Sequence, residues 1–310
     1  MSDIKTRTRM ITAKIETVYG VDAGPAGSDV ILAIDSKIIP MDGKDESREL
    51  DQGYFGGQAT IPLDLHAKLT FKVEIVGSGT VGTPPGYSAL LRACGIAETI
   101  TANTSVVYNP VTEDHESATL YFYIGNTRHV LAGARGDVEF ELTASGIARM
   151  AFEFTGLFSV ASEQARVVPN YSAFQKPRAF TDANTPTFTL DGNDFVLRSL
   201  MLKVGNQVEP RFLINDERII ITDRAETAEF VTPAVPMTTF NPYQAALNQQ
   251  SVALQLVHET LPGRIVTFDI PNMQLQRPQG LEDAQGIAEW TIGAVPLLVA
   301  GDDQWTLTFT

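Results

Sequence analysis

The single cysteine, Cys94, is the first residue to consider as a catalytic nucleophile. A reactive thiolate needs a cationic or hydrogen-bonding neighbourhood that lowers its pKa. Cys94 instead ends a run of residues with the i, i+3, i+4, i+7 spacing of one helix face, and Gly95 follows where a left-handed cap ends a helix. The spacing predicts a short helix over 85–95, whose core face carries Tyr87, Leu90, Leu91 and Cys94.

A second candidate is the glycine motif G-x-G-x-x-G at 77–82, which follows an apolar run. In a dinucleotide site the helix begins within this motif, so that its amide groups meet the pyrophosphate. Here Thr-Pro-Pro at 83–85 delays the helix, and no strand ending in an acidic residue follows about 20 residues later. We interpret 77–82 as a loop and predict no cofactor, although a nicotinamide-dependent enzyme stays as a distant alternative.

The remaining polar residues do not form a recognisable catalytic or metal-binding pattern. No two of the four histidines have metal-ligand spacing, and the acidic residues of 42–51 lack the alternate-position spacing of a calcium loop. No nucleophile-elbow or phosphate-loop motif occurs. The sequence therefore predicts no catalytic residue, no metal site and no enzyme.

The elements that surround these residues have the pattern of strands. In the stretch 59–76 apolar residues alternate strictly with polar ones, which predicts a strand with one face in a core and one face in water. Further short alternating runs follow, separated by glycine, proline and asparagine. This pattern predicts a mainly β protein, an antiparallel sandwich or barrel.

A weak internal repeat divides the chain. The run 146–154 resembles 286–294, 138–142 resembles 266–270, 117–120 resembles 251–254, and 85–90 resembles 242–247. The repeat predicts two related β domains, 1–168 and 169–310, each with one short helix, at 85–95 and 241–250. A segment rich in proline and asparagine, 167–186, lies at the joint.

Charge and hydropathy restrict the partners. The formal net charge is −14 and no run of lysine or arginine occurs. We therefore expect neither tight binding to nucleic acid nor attraction to an anionic membrane. The N-terminal residues lack the apolar region of a signal peptide, and no apolar run reaches the length of a bilayer span. We expect a soluble protein that is not exported by the usual route.

Two segments do not belong to the alternating strand pattern. The first is 35–58, charged at its centre and rich in glycine at its end, which predicts a long loop. The second is the N-terminal stretch 1–20, interpreted as an extended arm. A long loop in a compact domain is usually functional or disordered.

The runs "AKIETVYGVDAGPAGSDVILA" at 13–33 and "PPGYSALLRACGIAET" at 84–99 resemble the major tail tube proteins of long, non-contractile-tailed (siphovirus-type) bacteriophages. The resemblance covers about the first 160 residues, and the second half matches as a weaker copy, which corresponds to a tandem-domain form. It implies a structural virion protein whose rings stack into a tube that conducts DNA. A tandem chain closes a pseudo-hexamer with three copies, so the resemblance implies a trimer per ring.

The resemblance also implies surfaces and partners. Loop 35–58 and the arm 1–20 would contact the next ring, with inter-ring stacking by Asp42, Lys44, Asp45, Glu46, Arg48 and Asp51. The acidic lumen would be lined by Asp64, Glu74, Glu139, Glu141 and Asp269. Implied partners are further copies and the tape-measure, tail terminator and distal tail proteins, in the virion tail and, during assembly, the host cytoplasm. A secretion-tube, decoration or adhesin-like surface-binding protein is the alternative.

Overall fold

The structure, a computed structural model, describes residues 3–310. The prediction of a mainly β fold is confirmed, because antiparallel strands form most of the chain and two short α-helices accompany them. The first two residues of the predicted arm 1–20 lie outside the described residues. None of the helices described is long and apolar enough to cross a membrane.

The first half of the chain, residues 3–168, holds ten strands and one α-helix. In chain order they are β1 Met10–Ile15, β2 Val30–Ile31, β3 Ala33–Ser47, β4 Thr60–Glu74, α1 Ser88–Arg92, β5 Ile96–Thr101, β6 Ser105–Pro110, β7 Ala118–Ile124, β8 Thr127–Thr143, β9 Arg149–Leu157 and β10 Ser162–Glu163. Short 3-10 helices lie at Thr6–Thr8 and Gly27–Asp29.

The second half, residues 169–310, holds eleven strands and one α-helix. They are β11 Thr187–Leu190, β12 Asn193–Asp194, β13 Ser199–Lys203, β14 Asn206–Leu213, β15 Asp216–Arg224, β16 Thr227–Pro233, α2 Pro242–Leu247, β17 Ser251–His258, β18 Val266–Leu275, β19 Leu281–Ala284, β20 Ile287–Pro296 and β21 Thr306–Phe309. A 3-10 helix lies at Asp182–Asn184.

Strands from both halves form one antiparallel sheet, here called the joint sheet. Its order is β3-β4-β9-β8-β13-β16-β20-β19. Each half contributes four strands in the same order, β3-β4-β9-β8 from the first half and β13-β16-β20-β19 from the second. The division of the chain at 168/169 stays a prediction, because the sheet runs without a break across the two halves.

A second sheet covers the joint sheet in each half, which makes each half a sandwich. The first-half sheet is β2-β1-β7-β8-β10 and the second-half sheet is β12-β11-β17-β18-β21-β6-β5. Strand β8 belongs to both the first-half sheet and the joint sheet, and a register shift between Ala132 and Arg135 marks the crossing. A bulge of this kind bends a strand from one sheet into another.

Aromatic side chains fill the space between the sheets. Phe140 of the joint sheet contacts Phe268 and Trp305 edge-on, with ring centroids 5.2 and 5.6 Å apart. All three rings are buried. Burial of one such side chain stabilises the fold by roughly 1.5–3 kcal/mol, so this cluster holds the two halves against a common core.

Both helices are shorter than the ranges predicted from the sequence. Helix α1 follows two prolines, and Gly95, at φ +67°, closes the turn after it. Helix α2 begins after Asn241, whose side chain accepts a hydrogen bond from the Gln244 amide (2.9 Å). The structure buries all four residues assigned to the helix core face: Tyr87, Leu90, Leu91 and Cys94.

Two segments differ from the sequence-based expectation. The predicted loop 35–58 is a strand as far as Ser47, where β3 pairs with β4 in a long hairpin, and only 48–59 is irregular. The predicted extended arm 1–20 contains β1, a largely buried strand between β2 and β7. In both segments pairing with a distant strand supplies order that local periodicity does not show.

Candidate assembly surfaces

The two halves meet at two strand pairs: β21 pairs with β6 in the second-half sheet, and β13 pairs with β8 in the joint sheet, a pair here called the seam. Strand β13 pairs with the end of β8, from Ser199 opposite Thr143 to Lys203 opposite Glu139. Leu200 and Leu202 face the core, while Met201 and Lys203 lie on the other face. Edge pairing thus joins the halves by backbone hydrogen bonds and by a continuous apolar layer.

Beyond the seam, the hairpin β14–β15 lies on the first half and is here called the docked arm. Asn206, its first residue, donates from its side-chain amide to the carbonyls of Cys94 (2.7 Å) and Gly136 (3.0 Å). Its backbone amide donates to the Asp137 carboxylate (2.9 Å). Burial raises the pKa of Asp137, and burial, together with that nearby charge, raises the pKa of the Cys94 thiol well above its usual value. The thiol is therefore not activated.

Arg135 fixes the middle of the docked arm. Its guanidinium donates to the carbonyl of Ile219 in the arm (2.9 Å) and to the carbonyl of His115 in the first half (2.6 Å). The group also lies 5.2 Å from the centre of the Tyr19 ring, whose hydroxyl accepts from the Ile219 amide (2.6 Å). Burial lowers the pKa of Arg135. Ile219 is fully buried beneath these contacts.

The corresponding hairpin of the first half is covered only at its base, where the ring of buried His66 lies 6.4 Å from that of Phe212 in the docked arm. Beyond it, strands β3 and β4 project as an arm, here called the free arm, which contains 39–65. Its apolar residues Ile39 and Met41 are about half exposed, at 53% and 51%. At its tip, Tyr54 and Phe55 are almost fully exposed. Large exposed apolar groups of this kind mark interaction surfaces or aggregation-prone sites.

The six residues assigned to stacking all lie in the free arm. Two of them are engaged within the hairpin, since Asp42 pairs with Lys68 (2.9 Å) and Lys44 with Asp64 (2.8 Å). The bond from Lys68 lowers the pKa of Asp42, and the bond to Asp64 raises the pKa of Lys44. The other four are exposed and have no ion-pair partner within residues 3–310: Asp45, Glu46, Arg48 and Asp51.

The structure brings only part of the predicted lumen set together. Glu74, Glu139 and Glu141 share the polar face of the joint sheet, where Glu141 pairs with Lys72 (2.6 Å). Asp64 lies in the free arm. Asp269 lies on the second-half sheet, where it accepts from the Gln255 side chain (2.7 Å). These two residues therefore do not share the face of the other three.

The same polar face carries acidic residues that the sequence reasoning missed. By the strand register they lie on the same face of β9, β16, β19 and β20, and they are Glu153, Glu229, Glu282 and Glu289. Glu289 is buried and pairs with Arg198. The face also carries lysines and an arginine, so it is of mixed charge with an excess of carboxylates. The alternation of β16 and β20 was a signal that could have found Glu229 and Glu289.

A buried carboxylate explains the conspicuous "ETVYGVD" segment at 16–22. Glu16 accepts hydrogen bonds from the hydroxyls of Ser117 and Thr119 (2.7 Å each) and from the amides of Gly20 and Gly133 (2.8 Å each). Asp22 in turn accepts from the Tyr121 hydroxyl. A buried charge is tolerated only when its oxygens are satisfied in this way. The network positions Tyr19 under the docked arm, a role that sequence reasoning did not assign.

Comparison with known families agrees with this architecture. A family model described as phage tail tube protein matches residues 6–294, which is most of the chain. No curated protein matches the sequence. The family is a structural one, whose members assemble with one another and with other tail proteins in the virion tail. On this match the chain belongs to the phage tail tube protein family.

Proposed function

We propose that this structural tail tube protein closes rings of three copies, and that stacked rings form a tube whose lumen conducts DNA. The observation that carries the proposal is the joint sheet. One chain holds two four-strand units in the same order, already joined edge to edge at the seam. A single chain thereby contains two neighbours of a cyclic arrangement, and three copies supply six units.

The topology supports equivalence of the two units. Counting from the first hairpin, the order is β3-β4-β9-β8 in the first half and β13-β16-β20-β19 in the second. Helix α1 precedes β7, with β5 and β6 between them, and α2 directly precedes β17. Head-to-tail contacts between equivalent units generate a closed ring when the rotation between them closes.

The polar face of the joint sheet is the surface that we assign to the lumen. Its excess of carboxylates repels phosphate and offers few cations from which DNA would displace counterions. The opposite face is buried in the sandwich core. A polar, acidic wall suits a conduit through which DNA slides without being held.

The free arm is the surface that we assign to stacking between rings. It projects from the sheet, and its tip carries Tyr54, Phe55 and the exposed charges Asp45, Glu46, Arg48 and Asp51. An apolar centre with charges of both signs favours a specific register between rings. At the tube ends the same surfaces are available to the tape-measure, terminator and distal tail proteins.

The stoichiometry is tested by native mass spectrometry and negative-stain micrographs of the purified chain. We expect rings of three copies and, at higher concentration, tubes of uniform width. A chain that stays monomeric at high concentration contradicts assembly. Rings of six copies contradict the pseudo-hexamer, and a discrete oligomer that saturates on a surface partner favours a decoration or adhesin role instead.

The assignment of the lumen face is tested by labelling with a bulky polymer maleimide. Glu229→Cys lies on the proposed lumen face, and Asp269→Cys, the matched control, lies on the second-half sheet. Background labelling is low because Cys94 is buried. We expect both cysteines to react in unassembled chain and Glu229→Cys to react at least tenfold more slowly in tubes. Equal labelling of both cysteines in tubes contradicts the assignment.

A further inference from the structure

The joint sheet ends in two unpaired strand edges. Strand β3 pairs with β4 along one side, and β19 pairs with β20 along one side, and neither has a second neighbour within residues 3–310. Open strand edges carry unsatisfied amide and carbonyl groups and are templates for pairing with another chain. Both edges belong to the joint sheet, in which the seam already pairs the corresponding edges of the two halves.

The equivalence of the two units shows which edges correspond to the seam. The tripeptide Gly-Ile-Ala occurs at 146–148, directly before β9, and at 286–288, where β20 begins. In their ladders, Glu141 lies opposite Arg149 and Glu282 lies opposite Glu289. Strand β19 therefore corresponds to the end of β8, and by the same reading β3 corresponds to β13.

We infer that β3 of one copy pairs antiparallel with β19 of the next copy, in the register of the seam. In that register Lys37 takes the place of Met201, opposite Glu282 in the place of Glu141, and Ile38 lies opposite Leu281. The inference rests on the proposed ring and specifies the contact that closes it.

The side chains at these positions are complementary. Lys37 and Glu282 are exposed, opposite in charge and without an ion-pair partner within residues 3–310. Leu281 is 56% exposed, although it lies opposite the buried Trp290 and so on the core side of the sheet. Ile38, opposite the buried Leu69, is partly buried at the other edge. Pairing covers both apolar groups and neutralises both charges.

One group on the β3 edge already has a partner. The carbonyl of Ser36, in the irregular part of β3, accepts a hydrogen bond from the Arg9 guanidinium. We therefore place the new ladder from Lys37 onward. The free arm then continues over the second half of the neighbour, as the docked arm continues over the first half of its own chain.

A disulfide tests the register. Hydrogen bonds from Val204 N to Val138 O (3.1 Å) and from Ala144 N to Arg198 O (2.8 Å) make Met201 and Glu141 a non-hydrogen-bonded pair. Such pairs have Cα atoms about 4.5 Å apart, within the range that a disulfide spans. The variant carrying both Lys37→Cys and Glu282→Cys is oxidised after assembly and run on a denaturing, non-reducing gel.

We expect covalent dimers and trimers that disappear on reduction, with no cross-linked species from either single variant. The variant with both Met201→Cys and Glu141→Cys is the positive control and forms a disulfide within one chain. Rings that assemble from the double variant but do not cross-link overturn the register and leave the ring intact. Failure of the unmodified chain to form rings overturns the proposed function instead.

A charge exchange gives a second test without cysteine. Lys37→Glu places two carboxylates opposite one another, and we expect at least a tenfold loss of assembly. Adding Glu282→Lys to that variant restores the opposite charges and the assembly. The matched control is Lys14→Glu, an exposed lysine of β1 away from both edges. If the exchange variant assembles no better than Lys37→Glu alone, the pairing is wrong.

Discussion

The two arms of the molecule are the same topological element in different surroundings. The docked arm lies on the first half, where Ile219 is fully buried and held by Arg135 and Tyr19. The free arm leaves the sheet at the equivalent place, yet Ile39 and Met41 remain about half exposed. The free arm thus keeps its strand pairing without a partner, while its apolar residues stay accessible to one.

The largest expected effect comes from the different burial of apolar residues in the two arms. Ile219→Ala removes a buried side chain, and we expect the free energy of unfolding to fall by about 2–4 kcal/mol. Met41→Ala, at a half-exposed apolar residue of the free arm, should change the free energy of unfolding of the unassembled chain by less than about 0.5 kcal/mol. Urea denaturation of unassembled protein measures both. Equal losses in the two variants would mean that the free arm is already packed in the single chain.

A pH titration compares the two halves at one position. His258 ends β17 where Ile124 ends β7, and its ring stacks on Phe180 with centroids 3.9 Å apart. Burial, with the charge of Arg178 as a lesser cause, lowers the pKa of His258 to about 4 from its ordinary value of about 6.5. Because the pKa of His258 is lowered in the folded state, the contribution of its neutral ring to stability is complete above about pH 6.5. This contribution is lost as the pH falls towards 4.

We therefore expect the free energy of unfolding of the wild-type chain to fall by about 3 kcal/mol more than that of the variant His258→Phe between pH 7 and pH 4. The measurement is the difference in the free energy of unfolding between the two proteins at each pH. The variant keeps the ring stack and loses the contact between Nδ1 and the Thr185 hydroxyl. Parallel pH profiles would show that His258 is protonated equally in folded and unfolded chains.

A smaller effect is expected from the contact that holds the docked arm. Arg135→Lys keeps the charge but cannot reach the Ile219 and His115 carbonyls together, so we expect a loss of about 1–2 kcal/mol. Increased hydrogen exchange confined to 206–224 would accompany the loss. An unchanged exchange rate there would mean that the arm is held by apolar contacts alone.

The smallest effect is expected on the polar face of the joint sheet. Lys72→Met removes the partner of Glu141 from a pair that is about one-third exposed, and such pairs contribute about 0–1 kcal/mol. We expect the unfolding midpoint of unassembled protein to move by about 2 °C or less. A larger shift would indicate that this face contributes to stability as well as to the wall of the proposed tube.

Alternation along the chain was enough to predict the fold class and several strands. The run predicted at 59–76 is β4, Thr60–Glu74, and its apolar parity faces the core as far as Ala67. Gly95 ends the helix turn as its type and position suggested. These features depend on local chemistry, which a single sequence displays directly.

Features that depend on distant pairing could not be predicted in the same way. The outer part of β3 has water on both sides, so it lacks an apolar parity and was interpreted as a loop. The proposed match of 138–142 with 266–270 is wrong in register, because Leu131 and Ile270 occupy equivalent ladder positions opposite Leu120 and Leu254. Alternating runs can be superposed at several offsets, and the bulge after Ala132 hides the shift.

The candidate surfaces were predictable to a similar extent. Parity placed Glu74, Glu139 and Glu141 on one polar face, which the ladders of β4, β9 and β8 bring together. It also selected Asp64 and Asp269, since it does not show which sheet a strand joins. The seam escaped prediction, because nothing in β13 or β8 alone identifies the other as its neighbour.

The long strand β8 ties the cooperative behaviour of the molecule to a single element. It hydrogen-bonds to β7, β9, β10 and β13, so its loss interrupts the first-half sheet and the joint sheet and removes the seam. The amide protons at the end of β8 are screened from solvent, because β9 lies on one side of this part of the strand and β13 on the other. We expect exchange there to require global unfolding, with the two halves unfolding as one cooperative unit.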